Sequence, residues 1–363
     1  MDEMVIVAGL GIDAGPDGKG VLVTAQIASP SSSRGSSDPP SGGQAAGPKS
    51  PQTETAHGAT IPDAVVRGLY RTLTHRVFLA HAGVVVIGEQ AARAGISGIL
   101  DFLSRHEEVR ENAWIVVARS DAASVLNTPV SREAVAATGL VSMIRNQIRV
   151  GGSRSSQIHI MQEQISDKTR AATTGIVEVK QEGPPGLIVS GTAVFKQDKL
   201  VGELDQTATR GLMWAIGEVS GGALTVKCMC GKDADLLVDG AKGSVYGEMK
   251  NGRPHMVIRV SISSTLDGLN CSEDLTEPGV MEFLNAQQSR LVEAEITAAL
   301  DRARELNADI FGFGGAIREH YRGDWKLVEE QWSTLFPTFD VEIRVYAELY
   351  HTGLKSRSTR GGQ

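Results

Sequence analysis

Cysteine, aromatic residues and long apolar runs are all scarce in this sequence. Three cysteines occur in 363 residues, with Cys228 and Cys230 one residue apart and Cys271 far from both. No second Cys or His pair stands at zinc-ligand spacing, and a disulfide between Cys228 and Cys230 would close a very small, strained ring. The simplest interpretation is small buried or unpaired thiols, which identify no compartment. No segment approaches the ~18 to 20 consecutive apolar residues of a membrane-crossing helix.

The sequence also lacks a basic surplus. Its 36 Lys and Arg residues are outnumbered by 43 Asp and Glu residues, which gives a net charge of -7. Nucleic-acid-binding domains usually carry a clear positive excess, so a phosphate backbone is not the expected partner, and an anionic membrane surface is equally unfavourable by charge alone. With 41% hydrophobic and 22% charged residues, the composition is that of an ordinary globular protein. At ~150 residues per domain, the chain is long enough for two or three domains.

Recognisable catalytic motifs are missing from the sequence. It contains neither a Gly-x-Ser-x-Gly elbow nor a His-Glu-x-x-His zinc motif. The nearest approaches to ligand clusters are His75 with His81, and Glu107 and Glu108 with Glu111. Arginines are interleaved with these carboxylates, as on a solvated helix face. The sequence therefore predicts no enzyme, no cofactor and no metal site.

The glycine-rich N-terminus, Val5 to Gly15, superficially matches a phosphate-binding loop. A dinucleotide site requires a helix directly after the glycines, so that its first amides face the pyrophosphate. Here a turn at residues 16–20 leads into strict alternation from Val21 to Ile27, which indicates a β-hairpin. The next segment, Ser29 to Gly58, contains no Val, Ile, Leu, Met or aromatic residue and is expected to be a disordered Ser/Gly/Pro loop.

Helices and strands alternate between residues 61 and 148. A helix that starts at Ile61 is predicted to bury Val66, Leu69 and Tyr70. Strands at 84–87 and 114–118 enclose another helix, and this strand, helix, strand order indicates parallel pairing. Pro and Gly at residues 182–186 predict a domain boundary. The predicted divisions are an N-terminal α/β domain (1–185, with the loop at 29–58), a small middle β/α module (186–238), a C-terminal α+β domain (239–353) and a flexible tail (354–363).

The last fifth of the chain, Ala308 to Gly353, forms the clearest series of elements. Asp309 is predicted to cap a helix that includes Ile310, Asp324 to cap a second helix, and Pro337 to prevent its continuation. Strict alternation from Val341 to Tyr350 then predicts a strand with one buried face. These elements complete an α+β domain with an antiparallel-type sheet covered by helices, within a three-domain mixed α/β architecture.

Two features of this last segment have both a structural and a functional interpretation. The glycine-dense start at Phe311 to Gly315 could bind an anion through free amides, but the flanking phenylalanines and Asp309 favour close packing against the sheet. Trp325 and Trp332 are seven residues apart on one helix face, which favours core packing over a sugar-binding platform.

Six segments carry a distinctive series of motifs. In chain order they are Ile6–Asp13 (IVAGLGID), Val86–Ala91 (VIGEQA), Ser190–Lys196 (SGTAVFK), Asp198–Gly202 (DKLVG), Thr209–Trp214 (TRGLMW), and residues 309–353 with their DIFGFG turn, paired tryptophans, Phe-Pro stop and His-Thr-Gly end. In this order they resemble the Ger(x)C family, the C subunits of nutrient germinant receptors in spore-forming bacteria. The resemblance covers most of the chain.

The resemblance implies a non-catalytic lipoprotein on the outer face of the spore inner membrane. Its expected partners are a membrane-embedded A subunit and a transporter-like B subunit, with which it acts in nutrient-triggered germination. The lipid-bearing cysteine of the family should lie shortly before Ile6, but the sequence starts at Met1 with neither signal peptide nor lipobox. We therefore expect the anchor upstream of Met1, whether the ectodomain was excised or the start was misassigned. The alternative is an extracytoplasmic solute-binding lipoprotein that itself binds a small nutrient.

The positions that match family motifs are expected to be structural rather than catalytic. They are Gly9, Gly11, Asp13, Gly88, Glu89, Gly191, Phe195, Gly202, Asp309, Phe311, Gly312, Trp325, Trp332, Pro337 and Gly353.

Overall fold

The computed structural model describes residues 4–28, 52–73, 75–130, 133, 135–250, 253–269 and 278–351. These residues form two compact units, where the sequence predicted three domains. The first unit contains residues 4–145, 155–166 and 172–202, and the second contains residues 146–154, 167–171 and 203–351. The prediction of a separate middle module at 186–238 is wrong. Its first hairpin hydrogen-bonds into the sheet of the first unit, and the remainder belongs to the second unit. The predicted tail at 354–363 lies outside the described residues.

The first unit is built on one ten-stranded sheet. Its elements are β1 (Met4–Ala14), β2 (Val21–Ile27), β3 (Thr53–Gly58), α1 (Ile61–Asp63), α2 (Tyr70–Thr72), β4 (Arg76–Phe78), β5 (Val84–Gly88), α3 (Glu89–Ala94), α4 (Ser97–Arg105), β6 (Trp114–Ala118), α5 (Ala122–Asn127), α6 (Ala136–Arg149), β7 (Ser156–Gln157), α7 (Ile158–Ser166), β8 (Ala172–Val179), β9 (Leu187–Lys196) and β10 (Lys199–Leu204).

Four parallel strands form the centre of this sheet. The strand order is β10-β9-β8-β6-β5-β1-β2-β3, and β1, β5, β6 and β8 run parallel to one another. The parallel pairing predicted for the strands at 84–87 and 114–118 is confirmed. Helices cover parallel strands on both faces, so such strands are apolar throughout. Every residue of β5 is accordingly buried.

Two predictions for the first unit are wrong. Residues 53–58, assigned to the disordered loop, form β3, which pairs antiparallel with β2, because main-chain hydrogen bonds do not require apolar side chains. Residues 29–51 lie outside the described residues. Val66 is 57% and Tyr70 is 39% exposed, whereas Val65 and Leu69 are buried. A π-helical stretch, Ala64–Leu69, joins α1 to α2 and shifts the buried stripe away from the α-helical period.

The second unit combines helices with a four-stranded sheet and confirms the α+β class. Its elements are α8 (Gln206–Ala215), β11 (Ala223–Lys227), β12 (Asp233–Lys250), β13 (Arg253–Leu269), α9 (Val280–Leu306), α10 (Phe313–His320), α11 (Arg322–Val328), α12 (Trp332–Leu335) and β14 (Val341–His351). The strand order is β11-β12-β13-β14.

The sheet of the second unit is antiparallel except at its last strand. β11, β12 and β13 are joined antiparallel, while β14 lies parallel to β13. Parallel neighbours need a long crossover connection, and the helices between β13 and β14 provide it. Every second residue of β13 from Met256 to Ile262 lies in the core, namely Met256, Ile258, Val260 and Ile262. On α9, Val292, Ile296, Ala299 and Ala303 form a buried apolar stripe.

Candidate functional site

The carboxylate of Asp309, at the start of the C-terminal motif, accepts four hydrogen bonds. Its Oδ1 accepts hydrogen bonds from the amides of Gly312 (2.9 Å) and Phe313 (3.0 Å). Its Oδ2 accepts them from the amide of Gly314 (2.8 Å) and from Nε1 of Trp332 (3.3 Å). The side chain thus satisfies three free amides at the start of α10 and also binds the helical segment that contains Trp332.

The helix start predicted at Asp309 is wrong by several residues. α10 begins at Phe313, with Gly312 at its N-cap in the left-handed region at φ +75°. The intervening turn folds the chain back, so that the Asp309 carboxylate meets the helix N-terminus from outside the helix. The second helix, α11, likewise begins at Arg322, two residues before the predicted cap Asp324.

A cluster of aromatic rings surrounds this turn. Phe311 stacks on Phe313 with ring centroids 5.2 Å apart, and Trp325 meets Trp332 edge-on at 5.1 Å. Phe339 contacts Phe313, Trp332 and Phe336 at 5.4 to 5.8 Å. The paired tryptophans are buried, and their packing excludes water from the Asp309 carboxylate.

Burial raises the pKa of Asp309 from 3.8 to about 6, because desolvation outweighs the four hydrogen bonds that favour the charged form. Between pH 4 and 6 the folded chain therefore retains a proton that the unfolded chain has released. We expect the stabilising contribution of protonated Asp309 to be complete below about pH 4 and to be lost as the pH rises through 6. The free energies of unfolding of wild type and of the non-titrating Asp309→Asn should be measured between pH 4 and 8. The difference between the two proteins should change between pH 4 and 6 and stay constant above pH 6. A carboxyl NMR titration midpoint below pH 4 would contradict this expectation.

The N-terminal motif residues meet around a second carboxylate, that of Asp13. Asp13 lies near the end of β1, is 7% exposed, and accepts hydrogen bonds from the amides of Ala122 (2.7 Å) and Ala123 (3.1 Å). Desolvation raises its pKa despite these two bonds. A Cβ at Gly88 would lie 1.9 Å from Asp13 Oδ1, so the carboxylate occupies the space that any side chain at Gly88 would need.

The glycines of β1 serve close packing in the same region. A Cβ at Gly9 would lie 2.6 Å from Cβ of Ala137, and one at Gly11 would lie 3.1 Å from Leu126 and 3.2 Å from Ala122. The helices α5 and α6 therefore approach the β1 backbone more closely than a side chain would allow. Helix–strand packing therefore explains the spacing of these glycines without a phosphate-binding role.

A shallow depression lies at the carboxyl ends of three parallel strands, β1, β5 and β6. It has a volume of about 410 Å³ and is lined by residues that include Asp13, Glu89, Arg119 and Asp121. Glu89 pairs with Arg93 at 2.7 Å, Arg119 pairs with Glu178 at 2.9 Å, and Asp121 caps α5 by accepting a bond from the Ser124 amide at 2.6 Å. The carboxyl edge of parallel strands is a common place for ligands in α/β folds.

The other predicted positions lie apart from these two carboxylates. Gly191 has φ +84° and lies where the pairing of β8 and β9 shifts register, as glycine does in a β-bulge. Phe195 is fully buried, Gly202 lies in β10, and Pro337 follows the end of α12. Gly353 lies outside the described residues.

Sequence reasoning missed two buried polar networks. Gln26 is fully buried: its Nε2 donates to the carbonyl of Leu126 and its Oε1 accepts from the amide of Ala137, both at 2.6 Å. In the second unit, Glu295 of α9 accepts hydrogen bonds from Arg210 and from Nε1 of Trp214 on α8. The only available signal was the motif that contains Arg210 and Trp214, because the partner residue lies more than 80 positions away.

Within the described residues, no group of three or more His, Cys, Asp or Glu side chains could hold a metal ion. In the same part of the chain, no helix is long and apolar enough to cross a membrane. Cys228 is buried and Cys230 exposed, while Cys271 lies outside the described residues.

The geometry defines a two-unit α+β protein in which several described motif residues cap a helix, fill a core or allow close backbone packing. Two protein-family models together match nearly the whole chain. "Spore germination protein N-terminal domain" matches residues 1–179, and "Spore germination B3/ GerAC like, C-terminal" matches residues 190–353. The chain belongs to the GerAC-like, or Ger(x)C, family of spore germination proteins.

Known proteins similar to the chain carry related names. Spore germination protein KC of Bacillus subtilis is 25% identical over 383 aligned positions, which cover 98% of this chain and 91% of that protein. Spore germination protein B3 of the same organism is 22% identical, with 82% and 80% covered. The crystal structure of the GerBC protein matches with a TM-score of 0.56 and 19% identity over 94% of this chain and 96% of that one, which supports the same fold.

Proposed function

We propose that this chain is the C subunit of a nutrient germinant receptor and acts through protein contacts rather than catalysis. The observation that carries the proposal is the match of both units to the same family over almost the whole chain. The two Bacillus subtilis relatives named above are themselves spore germination proteins. In this role the chain would work beside a membrane-embedded A subunit and a transporter-like B subunit, on the outer face of the spore inner membrane, held by a lipid anchor.

The roles of the motif residues are consistent with this proposal. The carboxylates of Asp13 and Asp309 accept hydrogen bonds from main-chain amides of their own unit. Neighbouring residues fill the space beside Gly9, Gly11 and Gly88 that a side chain would need. These residues stabilise a scaffold, and a scaffold suits a subunit that presents surfaces to partners.

A second candidate function is binding of a small nutrient by the chain itself. The depression at the carboxyl ends of β1, β5 and β6 favours it, since this edge of a parallel sheet commonly holds ligands and the lining here is polar. Binding would raise the melting temperature of the isolated chain in the presence of the nutrient, and no such shift is expected of an interaction subunit.

Deletion of the gene tests the proposed function. Spores without the chain should lose germination triggered by the matching nutrient and keep germination triggered by a stimulus that bypasses the receptors. The wild-type chain, restored with an affinity tag, should co-isolate with the two membrane subunits from detergent-solubilised spore membranes. Unchanged nutrient response together with absent co-isolation would refute the proposal, because redundancy among receptors can mask the first result but not the second.

A further inference from the structure

β14 is the edge strand of the sheet in the second unit. Among the described residues it pairs with β13 on one side, and no strand lies on its other side. An edge of this kind presents main-chain amides and carbonyls that another strand can bind. At 11 residues, β14 is about twice the usual strand length, so the edge is long.

Two hydrogen bonds establish which residues of β14 direct their main chain outward. The Met256 amide donates to the Asp340 carbonyl at 3.1 Å, which in a parallel ladder places the main-chain groups of Glu342 on the β13 side. The Leu349 amide instead donates to Oδ1 of Asn285 on α9 at 2.9 Å, away from β13. Even-numbered residues therefore bond to β13, and odd-numbered residues up to Leu349 direct their amides and carbonyls to the open edge.

Protection of this edge is confined to one end. Natural edges are blocked by proline, charged side chains, bulges or a covering segment. Here a register shift lies between Leu349 and His351, and Asn285 covers the Leu349 amide. The preceding seven residues, Val341 to Ala347, contain no proline, glycine or register shift, and their two charged residues, Glu342 and Arg344, pair with each other.

The side chains along this segment have two distinct faces. Val341, Ile343, Val345 and Ala347 share the core face with β13 but remain half-buried, whereas their neighbours Ile258 and Val260 on β13 are fully buried. On the other face, Arg344 pairs with Glu342 at 2.7 Å and Tyr346 is 57% exposed. A strand added at the edge would complete the burial of the apolar row and would meet a polar row opposite.

We propose that the open edge at Val341–Ala347 receives an extended strand of a partner protein. Main-chain donors and acceptors repeated at every second residue are satisfied together only by an extended chain. The added strand should carry apolar side chains on the α9 side and polar ones, able to pair with Glu342, Arg344 and Tyr346, on the other. This inference rests on the proposed function in one respect: the partner would then be another receptor subunit.

A second copy of this chain fits the edge less well. Antiparallel pairing of the whole Val341–Ala347 segment with its copy is centred on Arg344 and sets Arg344 of one copy opposite Arg344 of the other. Pairing about Val345 sets Glu342 opposite Glu348, and like charges directly opposite each other destabilise a sheet. Pairing about Ile343 sets Glu342 opposite Arg344 but uses only Val341 to Val345 of the open segment. Charge complementarity therefore favours a different protein.

Amide hydrogen exchange tests the open edge in the isolated chain. The amides of Ile343, Val345 and Ala347 should exchange on the order of 100-fold faster than those of Arg344 and Tyr346, which bond to β13. Equal protection of both sets would overturn the inference, since the edge would already be occupied. The same measurement on a chain that ends at His351, together with sedimentation, would then identify the occupant as the tail of the molecule or as a second copy.

Exchange and mutation in the assembled receptor test the partner strand. Co-isolation with the membrane subunits should protect the amides of Ile343, Val345 and Ala347. Val345→Pro removes one outward amide while sparing the ladder to β13, and should weaken co-isolation about tenfold or more. The matched control Tyr246→Ala removes an exposed ring from the same sheet face on β12, two strands from the edge, and should co-isolate as wild type does. If Val345→Pro melts at a lower temperature than wild type, Ile343→Pro replaces it.

The outcomes separate this inference from the proposed function. Unprotected edge amides in the receptor, or wild-type co-isolation of both proline variants, would overturn the edge inference and leave the subunit role intact. Absence of co-isolation for the wild-type chain would instead refute the proposed function. Loss of co-isolation by the proline variants and by Tyr246→Ala alike would assign the contact to the sheet face and would also overturn the edge inference.

Discussion

Asp309→Ala is expected to lower the free energy of unfolding by about 3–5 kcal/mol. The substitution leaves the amides of Gly312, Phe313 and Gly314 and the indole N–H of Trp332 without an acceptor in a region that is closed to water. Each unsatisfied buried donor costs about 1–3 kcal/mol, and the costs are not fully additive. Denaturant unfolding followed by tryptophan fluorescence measures the loss, since both Trp325 and Trp332 lie in this cluster.

Asp205 provides a matched control in the same unit. It caps α8 by accepting one hydrogen bond, from the Ala208 amide at 2.8 Å, and it is exposed. Asp205→Ala should therefore cost about 1 kcal/mol, the usual effect of losing an N-cap. Equal losses for the two alanine variants would show that burial of Asp309 and its additional donors contribute nothing beyond capping.

Gly211→Ala is expected to destabilise the second unit by a similar amount, about 3–5 kcal/mol, and to do so by overpacking. A Cβ at this position would lie 1.9 Å from the carbonyl oxygen of Glu295 and 2.9 Å from the amide nitrogen of Ile296. Both atoms belong to the backbone of α9, so no side-chain rotation relieves the clash and the two helices must separate. Separation would also weaken the hydrogen bonds of Glu295 to Arg210 and Trp214. Fluorescence of the buried Trp214 and the midpoint of thermal unfolding should both report the change.

Gly323 serves as the control for this substitution. It lies in α11, and a Cβ there would meet no atom within 4 Å. Gly323→Ala should leave stability unchanged or raise it by up to about 1 kcal/mol, because alanine loses less backbone freedom in a helix. A neutral Gly211→Ala would mean that α8 and α9 are less closely packed than their backbones indicate.

The two carboxylate sites differ in how far the sequence predicted them. The Asp309 cap was predicted from an acidic residue before an apolar helical pattern, although the helix begins at Phe313 because Gly312 extends the turn. The contact of Asp13 with Gly88 was not predictable, since it joins the ends of two strands that are adjacent only in the folded sheet. The roles predicted for the remaining motif positions stay predictions.

The errors in the predicted fold can each be traced to particular residues. The sequence of β9, its turn and β10 predicts a self-contained hairpin at the start of a separate module. In the structure β9 pairs with β8, so the hairpin belongs to the first unit. The pattern that misplaced Val66 and Tyr70 assumed an α-helical period across a stretch that is π-helical. Residues 53–58 lack apolar side chains and form a strand through main-chain pairing with β2.

The sequence by itself determined the family, the α+β class and the strands and helices whose apolar residues recur at a regular period. Period and motif are properties of contiguous residues, so they can be read without knowing which segments meet. Tertiary structure decided the rest: the two units, the Arg210–Glu295 network across 85 positions, the backbone contact at Gly211, and the position of β14 at an edge. Each of these depends on a distance between segments far apart in the chain, and such a distance exists only after the chain has folded.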